Sequence, residues 1–441
     1  MSTATRAAPL VPAHYRIAAV LAGGVLARLA LFASPLPGML ERRPELTSPI
    51  TSVRSLREGT FLYKHTYDPY AGGVFFHLTQ SPLYLLFFAY AVPIESALLS
   101  AGLWTLVDAI GAVTLVQIWR TRQPAASKWS GRDHIVALLY LFNPYTLLSC
   151  LARSTTSLDN AMVLYAIAST YMGRGGGAMA ALALATQTSL YPVILLPPLL
   201  LVLKQLGAPT SKLLSYALVY AGTLGVLAGL ATAACTPSWV ARTWGVILSA
   251  SDLTPNVGMW WYFFTEMFDH FRTFFRGVFQ LHMLIYIAPL CLRLPDPRQA
   301  VLILVGAMAT WKSYPTLGDM ALWAGLLSCY PDYVSNLNHP LFSLTVHLYT
   351  AILLPLLHTL WLLTGAGNAN FFYAATMVYG LNATLAIADV LGAMISLDTK
   401  RQLMDLIPGK YKQYNPPADS GEVIQVDFPP NWTVTQLASL E

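Results

Sequence analysis

The chain has 441 residues, of which 55% are apolar and only 11% are charged, and its mean hydropathy is +0.52. A soluble domain carries about 25% charged residues, so this composition excludes a soluble protein and predicts one that crosses a membrane many times. The net charge of +5 comes without a basic and aromatic stripe, which argues against nucleic-acid binding. The four cysteines lack CxxC or metal-ligand spacing, so we expect no disulfide framework and no metal.

Apolar segments in chain order predict the fold. A helix needs about 20 apolar residues to cross a bilayer, and fewer inside a bundle. We therefore predict an all-α polytopic membrane protein with about twelve spans. They lie near residues 16–34, 81–119, 134–152, 158–173, 177–190, 191–204, 213–234, 275–292, 299–312, 316–330, 342–363 and 370–396. The first is expected to be a retained signal anchor, because no good cleavage site follows it.

Proline predicts breaks within these spans. The second segment is too long for one straight helix, and Pro93 and Glu95 are expected to divide it into a short interfacial helix and a true span. Asn143–Pro144 and Tyr191–Pro192 are expected to end or kink helices, since proline has no backbone N–H to donate.

Lys and Arg residues in the short loops predict the orientation of the chain. They recur in loops 120–132, 204–212 and 293–298 and near residue 400, which twelve spans place on one side with both termini. By the positive-inside rule, that side is the cytosol. The loop at 35–80 faces the other side and is an exception to the rule because of its arginines Arg42, Arg43, Arg54 and Arg57.

The last part of the chain differs in composition from the rest. One transmembrane domain is predicted over residues 1–400, and residues 401–441 form a proline-containing tail without a spanning run. We expect this tail to be cytosolic and disordered. Its sequon at Asn431 should then carry no glycan, because glycosylation is luminal.

The segment 252–271 holds the densest group of aromatic residues in the chain. It is interpreted either as an interfacial belt, in which Trp and Tyr lie at headgroup depth, or as part of a site. Glu266, Asp269 and His270 are three and four residues apart, which would place them on one face of a helix. They fit acid–base chemistry or a cation site, although a solvated rim is the favoured interpretation.

Two further short segments put polar groups next to apolar spans. Lys312 and Asp319 flank a turn, and they are either functional or a pair that stabilises a broken helix. Asn368 and Asn370 stand where a loop enters the last predicted span, in front of aromatic residues. Two amides on one side can bind phosphate oxygens or an ammonium, whereas capping by Asn370 needs only one of them, so the pair favours a ligand.

Several segments resemble the PIG-U family, the polytopic subunit of the glycosylphosphatidylinositol (GPI) transamidase. They occur in family order, at residues 48–52, 68–75, 141–150, 189–192, 252–271, 312–319 and 368–373. The resemblance implies a complex of the endoplasmic reticulum, in which a separate cysteine-protease-like subunit cleaves a proprotein and joins it to the ethanolamine amine of a GPI lipid. This chain is then expected to be a non-catalytic subunit that binds the GPI lipid and contacts the catalytic and scaffold subunits.

We expect the GPI contacts among the polar and aromatic residues of these segments. The candidates are Asn368, Asn370, Phe371, Tyr373, Asp252, Asn256, Trp261, Glu266, His270, Lys312, Asp319 and Arg42. Because GPI carries several phosphates, at least one of the four loop arginines is expected to contact a lipid phosphate or an acidic partner surface. No catalytic residue and no cofactor are expected.

The resemblance also implies an alternative, because the family is similar in fold to GT-C-type mannosyltransferases of the GPI pathway. Those enzymes transfer a lipid-linked sugar and keep a pair of acidic residues in the first luminal loop. Here that loop has Glu41 and Glu45 but no adjacent acidic pair, which favours binding over transfer. A transporter would show inverted repeats around a midplane site, and none is seen in this sequence.

Overall fold

The computed structural model describes residues 13–71, 78–122 and 131–406, and this part of the chain contains helices and no β-strand. The all-α class predicted from the sequence is therefore confirmed. Most of the predicted tail lies outside the described residues, and so does its sequon at Asn431.

The first half of the chain forms eleven α-helices and two shorter helical turns of other types. They are α1 (Ala13–Phe32), α2 (Leu36–Leu40), α3 (Val53–Lys64), α4 (Pro82–Leu86) with a π-helical turn (Phe87–Ala91), α5 (Ala97–Arg122), α6 (Asp133–Leu141), α7 (Pro144–Leu151), α8 (Thr156–Tyr171), α9 (Gly175–Ser189), a 3-10 turn (Tyr191–Leu195), α10 (Leu196–Gln205) and α11 (Thr210–Ala234), counted within the described residues.

The second half alternates short and long helices. They are α12 (Trp239–Arg242), α13 (Trp244–Ser249), α14 (Trp260–Glu266), α15 (Asp269–Ile285), α16 (Ile287–Arg293), α17 (Pro297–Trp311), α18 (Leu317–Leu327), α19 (Pro331–Val334), α20 (Pro340–Leu362) and α21 (Ala369–Leu406). The last helix continues past residue 400, into the segment predicted to be a tail.

Six helical segments of the described chain are long and apolar enough to cross a membrane. They are α1, α5, α11, α15 with α16, α20 and α21, and the pair α6 and α7, bent by 52°, makes a seventh if it counts as one span. These lengths agree with a protein that crosses a membrane several times. The number of twelve stays a prediction, since the shorter apolar helices do not reach spanning length by themselves.

The predicted breaks lie where proline was expected to place them. The helix that contains the π-helical turn ends at Ala91, and α5 begins at Ala97, so Pro93 lies in the gap. At the second break, the Asn143 side chain accepts a hydrogen bond of 2.9 Å from the backbone N–H of Tyr145 and caps α7, whose first residue is a proline. Proline is favourable at the first helical position because it lacks an N–H group that would have no partner there. Asparagine is favourable before it because its side chain accepts a hydrogen bond from a backbone N–H of the first turn.

Inner and outer helices differ in their surroundings. Helix α17 is buried from Gln299 to Thr310, and most of α8 is buried as well. By contrast, only two residues are buried in α11 and only two in α20. A helix that is apolar all round belongs either in a core or in lipid, so the bundle has a packed interior and an apolar exterior suited to a bilayer.

A buried ion pair joins the first span to this interior. Arg28 of α1 and Asp108 of α5 approach to 2.8 Å, and both side chains are 1% exposed. Arg28 also donates to the backbone oxygens of Gly24 and Leu141, at 3.2 and 2.8 Å. These contacts attach the predicted signal anchor to the bundle, although most of α1 is not buried.

Candidate functional site

Five segments that are distant in sequence meet at one surface, which we call the loop face. They are residues 41–55, 153–156, 250–262, 312–319 and 358–373. The backbone N–H of Leu317 donates to the oxygen of Glu45 at 2.9 Å, and that of Thr155 donates to the oxygen of Thr51 at 3.1 Å. The motifs of the resemblance at residues 48–52, 252–271, 312–319 and 368–373 therefore contribute to one surface.

The basic loops meet each other at a different place. The guanidinium of Arg122 lies 3.5 Å from the ring centre of Tyr330 and approaches Asp332 to 3.9 Å. Asp332 also pairs with Arg401 at 3.2 Å. Loops that were predicted to share the cytosolic side are thus in contact, and we call this group of residues the basic end.

An aromatic cluster lies on the loop face, at the first turns of α14 and α21 and the last turn of α20. Trp261 is 3% exposed, and its ring centre lies 6.1 Å from that of Trp361 and 5.9 Å from that of Phe372. Tyr373 packs against Trp261 and against Tyr262, at 5.9 and 4.8 Å. These five residues form the cluster, and Trp261 is its buried centre.

The two asparagines of the sequence motif stand at the edge of this cluster. Asn368 caps α21, because its side-chain oxygen accepts a hydrogen bond of 3.2 Å from the backbone N–H of Phe371. Asn370 accepts a hydrogen bond from the hydroxyl of Tyr262. Both asparagines are exposed, and within the described residues neither side-chain NH2 group has a partner. Capping by Asn370, the alternative to ligand binding, is wrong, because α21 begins at Ala369 and Asn368 caps it. Ligand binding by the pair stays a prediction.

The aromatic residues that follow differ in exposure. Phe371 is 57% exposed, whereas Phe372 is fully buried in the aromatic cluster. The hydroxyl of Tyr373 donates to the backbone oxygen of Met259 at 3.2 Å. One aromatic side chain of the predicted site is therefore open to a ligand, while its neighbours support the wall behind it.

Lys312 and Asp319 form a buried pair. Their Nζ and Oδ1 atoms are 2.6 Å apart, and their side chains are only 8% and 6% exposed. The other oxygen of Asp319 accepts from the backbone N–H of Thr316 at 2.7 Å, which completes a capping box at the start of α18. The pair stabilises the break between α17 and α18, which is the structural one of the two interpretations, and we leave it out of the site proposed below.

Asn256 also has a structural environment. It is fully buried, its side-chain oxygen accepts from the backbone N–H of Gly258 at 2.8 Å, and its NH2 group donates to the oxygen of Thr254 at 3.0 Å. A Cβ on Gly258 would lie only 2.7 Å from Cδ of Pro315. The turn therefore packs tightly against the 312–319 segment, and we leave Asn256 out of the proposed site as well.

The expectation that Glu266, Asp269 and His270 share a helix face is wrong. Helix α14 ends at Glu266 and α15 begins at Asp269, with an extended backbone at Met267 and Phe268 between them. Asp269 pairs with Arg272 on its own helix at 3.0 Å. Sequence spacing failed here because it presumed one continuous helix.

Two glutamates of the first loop are bound by arginines of this protein. Both carboxylate oxygens of Glu41 are bound, one by Arg57 at 2.9 Å and the other by Arg153. Glu45 is bound through both oxygens by Arg43, at 3.0 and 3.2 Å. The part of Arg153 was missed from sequence because it comes from another loop, 112 positions away from Glu41.

Two loop arginines remain open. Arg42 and Arg54 are exposed and line a cavity of about 390 Å³, together with Asp252 and the ring of His358. Neither arginine has an ion pair or a hydrogen bond within the described part of the chain. His358 was also missed from sequence, although its place near the end of a predicted span could have drawn attention to it.

A larger cavity, of about 780 Å³, lies between α7, α18, α20 and α21. Its lining is mostly apolar, and the carboxylate of Asp389 within it already accepts from the backbone N–H groups of Asn338 and His339 at 3.0 and 2.9 Å. This cavity therefore suits a hydrocarbon chain better than a charged head group.

No group of three His, Cys, Asp or Glu side chains in the described ranges could hold a metal ion. Burial, with a smaller contribution from Asp68, raises the pKa of the Cys235 thiol to about 11, so this cysteine is protonated at neutral pH.

The long apolar helices define a polytopic membrane protein. Its loop face carries an aromatic cluster beside open polar groups. The family model of "GPI transamidase subunit PIG-U" matches residues 22–379. The chain therefore belongs to the PIG-U family, as the sequence motifs indicated.

Characterised relatives agree with this assignment. The human protein named GPI-anchor transamidase component PIGU is 35% identical over 88% of this chain and 94% of its own length. The Saccharomyces cerevisiae protein named GPI transamidase component GAB1 is 32% identical over 86% of this chain and 94% of its own length. Its homologue from Schizosaccharomyces pombe is 29% identical over 81% of this chain and 88% of its own length.

Proposed function

We propose that this chain is a non-catalytic subunit of a GPI transamidase complex and that it holds the GPI lipid at the loop face. Membership of the PIG-U family supports the place in the complex, because the relatives are named as its components. The other subunits, including the catalytic cysteine-protease-like one, are its partners. The complex lies in the membrane of the endoplasmic reticulum.

The observation that carries the lipid-binding role is the open edge of the aromatic cluster. A GPI lipid has acyl chains in the bilayer and a glycan with phosphates outside it, so its site needs an apolar wall beside hydrogen-bond donors. The exposed ring of Phe371 offers the apolar wall. The NH2 groups of Asn368 and Asn370, which have no partner among the described residues, offer the hydrogen-bond donors. Trp261 and Tyr373 hold this edge in place from behind.

Orientation is part of the same proposal. The loop face is luminal, and the basic end lies with both termini in the cytosol, in a GT-C-like arrangement of about twelve crossings that includes the shorter apolar helices. Contacts of Arg122 and Arg401 with Asp332 support a common side for the basic loops. The substitution Asp252→Asn creates an Asn-Leu-Thr sequon on the loop face, so a glycan at position 252 is expected, and its absence in a folded complex contradicts this orientation.

The state of the first-loop glutamates supports binding over transfer. A catalytic base must keep an oxygen free for the proton that it removes. Both oxygens of Glu41 and both of Glu45 are bound by arginines. We therefore prefer the GPI-binding role to the mannosyltransferase alternative.

Photocrosslinking tests the proposed site. A photoreactive phenylalanine analogue is placed at position 371, and the matched control carries it at position 342, where Phe342 is 59% exposed at the other end of α20. We expect GPI to be crosslinked at position 371 and not at position 342 in the assembled complex. Equal crosslinking at the two positions would mean that GPI contacts the chain without using this site.

A further inference from the structure

The cavity of about 390 Å³ on the loop face has charged walls that the proposed lipid contacts do not use. Its volume is within the roughly 300–1,000 Å³ of small-molecule sites. Arg42 and Arg54 come from the first loop, and Asp252 comes from a loop about 200 positions later. The fold thus brings two cations and one anion from separate segments to the same space.

The cavity has an excess of positive charge. Glu41 also lines the cavity, but its carboxylate is bound by two arginines, Arg57 and Arg153. Its negative charge is therefore neutralised by these partners. Arg42 and Arg54 have no such partner among the described residues. An arginine fork matches the oxygens of a phosphate, and two forks in one cavity favour an anion of that geometry.

The start of α3 adds to the attraction for an anion. Ser52 and Ser55 line the same cavity, and Ser52 provides no side-chain cap to the first turn of the 12-residue helix. Uncapped backbone N–H groups and the positive end of the helix dipole act in the same direction as the two guanidinium groups.

Asp252 adds a negative charge to the cavity, which distinguishes it from a site for a simple anion. Its Oδ1 accepts a hydrogen bond of 2.9 Å from the backbone N–H of Thr254, and its Oδ2 has no partner within residues 13–71, 78–122 and 131–406. A free carboxylate oxygen repels a simple phosphate but binds an ammonium group. Two arginines with one aspartate therefore fit a ligand that carries both a phosphate and an amine.

We propose that this cavity binds a phosphoethanolamine group, with the phosphate at Arg42 and Arg54 and the ammonium at Asp252. The assignment of that group to GPI rests on the proposed function, since a GPI lipid presents an ethanolamine amine. His358 connects the two sites, because it lines the cavity and its ring centre lies 5.3 Å from that of Phe372 in the aromatic cluster. A phosphatidylethanolamine head group carries the same chemistry and is the other source.

Binding of soluble phosphoethanolamine to the full chain tests the assignment. The protein is purified in phosphatidylcholine nanodiscs, and Arg42→Gln/Arg54→Gln is compared with Arg293→Gln, which removes an exposed arginine outside the cavity. Loss of hydrogen bonds to charged groups should weaken binding by roughly tenfold or more in the double variant and leave it unchanged in the control. Equal affinities in the two proteins overturn the proposal.

Inorganic phosphate separates the two halves of the ligand. Asp252→Ser keeps an acceptor for the N–H of Thr254 and removes the charge, so it should weaken phosphoethanolamine binding while phosphate binds as well as before or better. A similar loss for both probes overturns the ammonium contact.

The two sources and the two proposals are also separable. Phosphatidylethanolamine in the nanodisc should compete with the soluble probe if a bilayer lipid fills the cavity, and unchanged affinity assigns the cavity to GPI. Photocrosslinking of GPI at position 371 is measured in the same double variant. If phosphoethanolamine binding is unaffected by the double substitution and the crosslink persists, the cavity assignment fails and the proposed function stands.

Discussion

The loop face contains two groups of charges that the sequence does not distinguish. In the paired group, Glu41 with Arg57 and Arg153, and Lys312 with Asp319, the carboxylates are less than 10% exposed and every carboxylate oxygen is bound. In the open group, Arg42, Arg54 and Asp252 surround a cavity. Paired charges join segments to each other, whereas open charges are available to a ligand. The same residue types thus serve stability in one place and recognition in another.

The largest effect on stability is expected from Asp319→Asn. This change leaves the Lys312 ammonium buried without its partner and weakens the capping box of α18, and breaking a buried pair costs about 3–5 kcal/mol. Thermal unfolding of the purified chain in detergent should show a clearly lower midpoint, with Arg293→Gln as the control. A midpoint equal to that of the control would show that the Lys312–Asp319 pair does not stabilise the fold.

A slightly smaller loss is expected from Glu41→Gln. The substitution removes the charge that binds Arg57 and Arg153, but Arg57 is 36% exposed and can regain water. The buried Arg153 accounts for most of the effect, which we expect to be about 3 kcal/mol. The same thermal assay measures it, and an unchanged midpoint would show that this carboxylate is not needed for the fold.

Asn256→Ala tests an uncharged member of the structural set. The backbone N–H of Gly258 loses its acceptor in a buried turn, which costs about 1–3 kcal/mol. Molecules that remain folded should still crosslink GPI at position 371. Normal stability with lost crosslinking would instead make Asn256 a ligand residue.

Asn370→Leu is expected to have the smallest effect on stability and a clear effect on the lipid. Asn370 is exposed, and surface changes stay within about 0.5 kcal/mol. Loss of its NH2 donor should weaken GPI binding by about 1–3 kcal/mol if the bond is made to a charged group, seen as weaker crosslinking at position 371. Lower stability with normal crosslinking would make this asparagine structural and would place it with Asn256.

The sequence alone was sufficient for several features of this chain. Apolar composition predicted the membrane-spanning class, and proline at Pro93 and Pro144 predicted two helix breaks, because both depend on local chemistry that each segment carries by itself. The motifs were also sufficient for the family, since a match spread over most of the chain needs no coordinates.

Only the tertiary structure decided which polar residues are free. Glu41 meets Arg153, and Tyr262 meets Asn370, across 112 and 108 positions, and no periodicity relates residues so far apart. The break between Glu266 and Asp269 separated a group that helical spacing had joined. Pairing depends on which segments the packed bundle brings together, so the same Arg, Asp or Asn is structural or open to a ligand according to neighbours supplied by other segments of the chain.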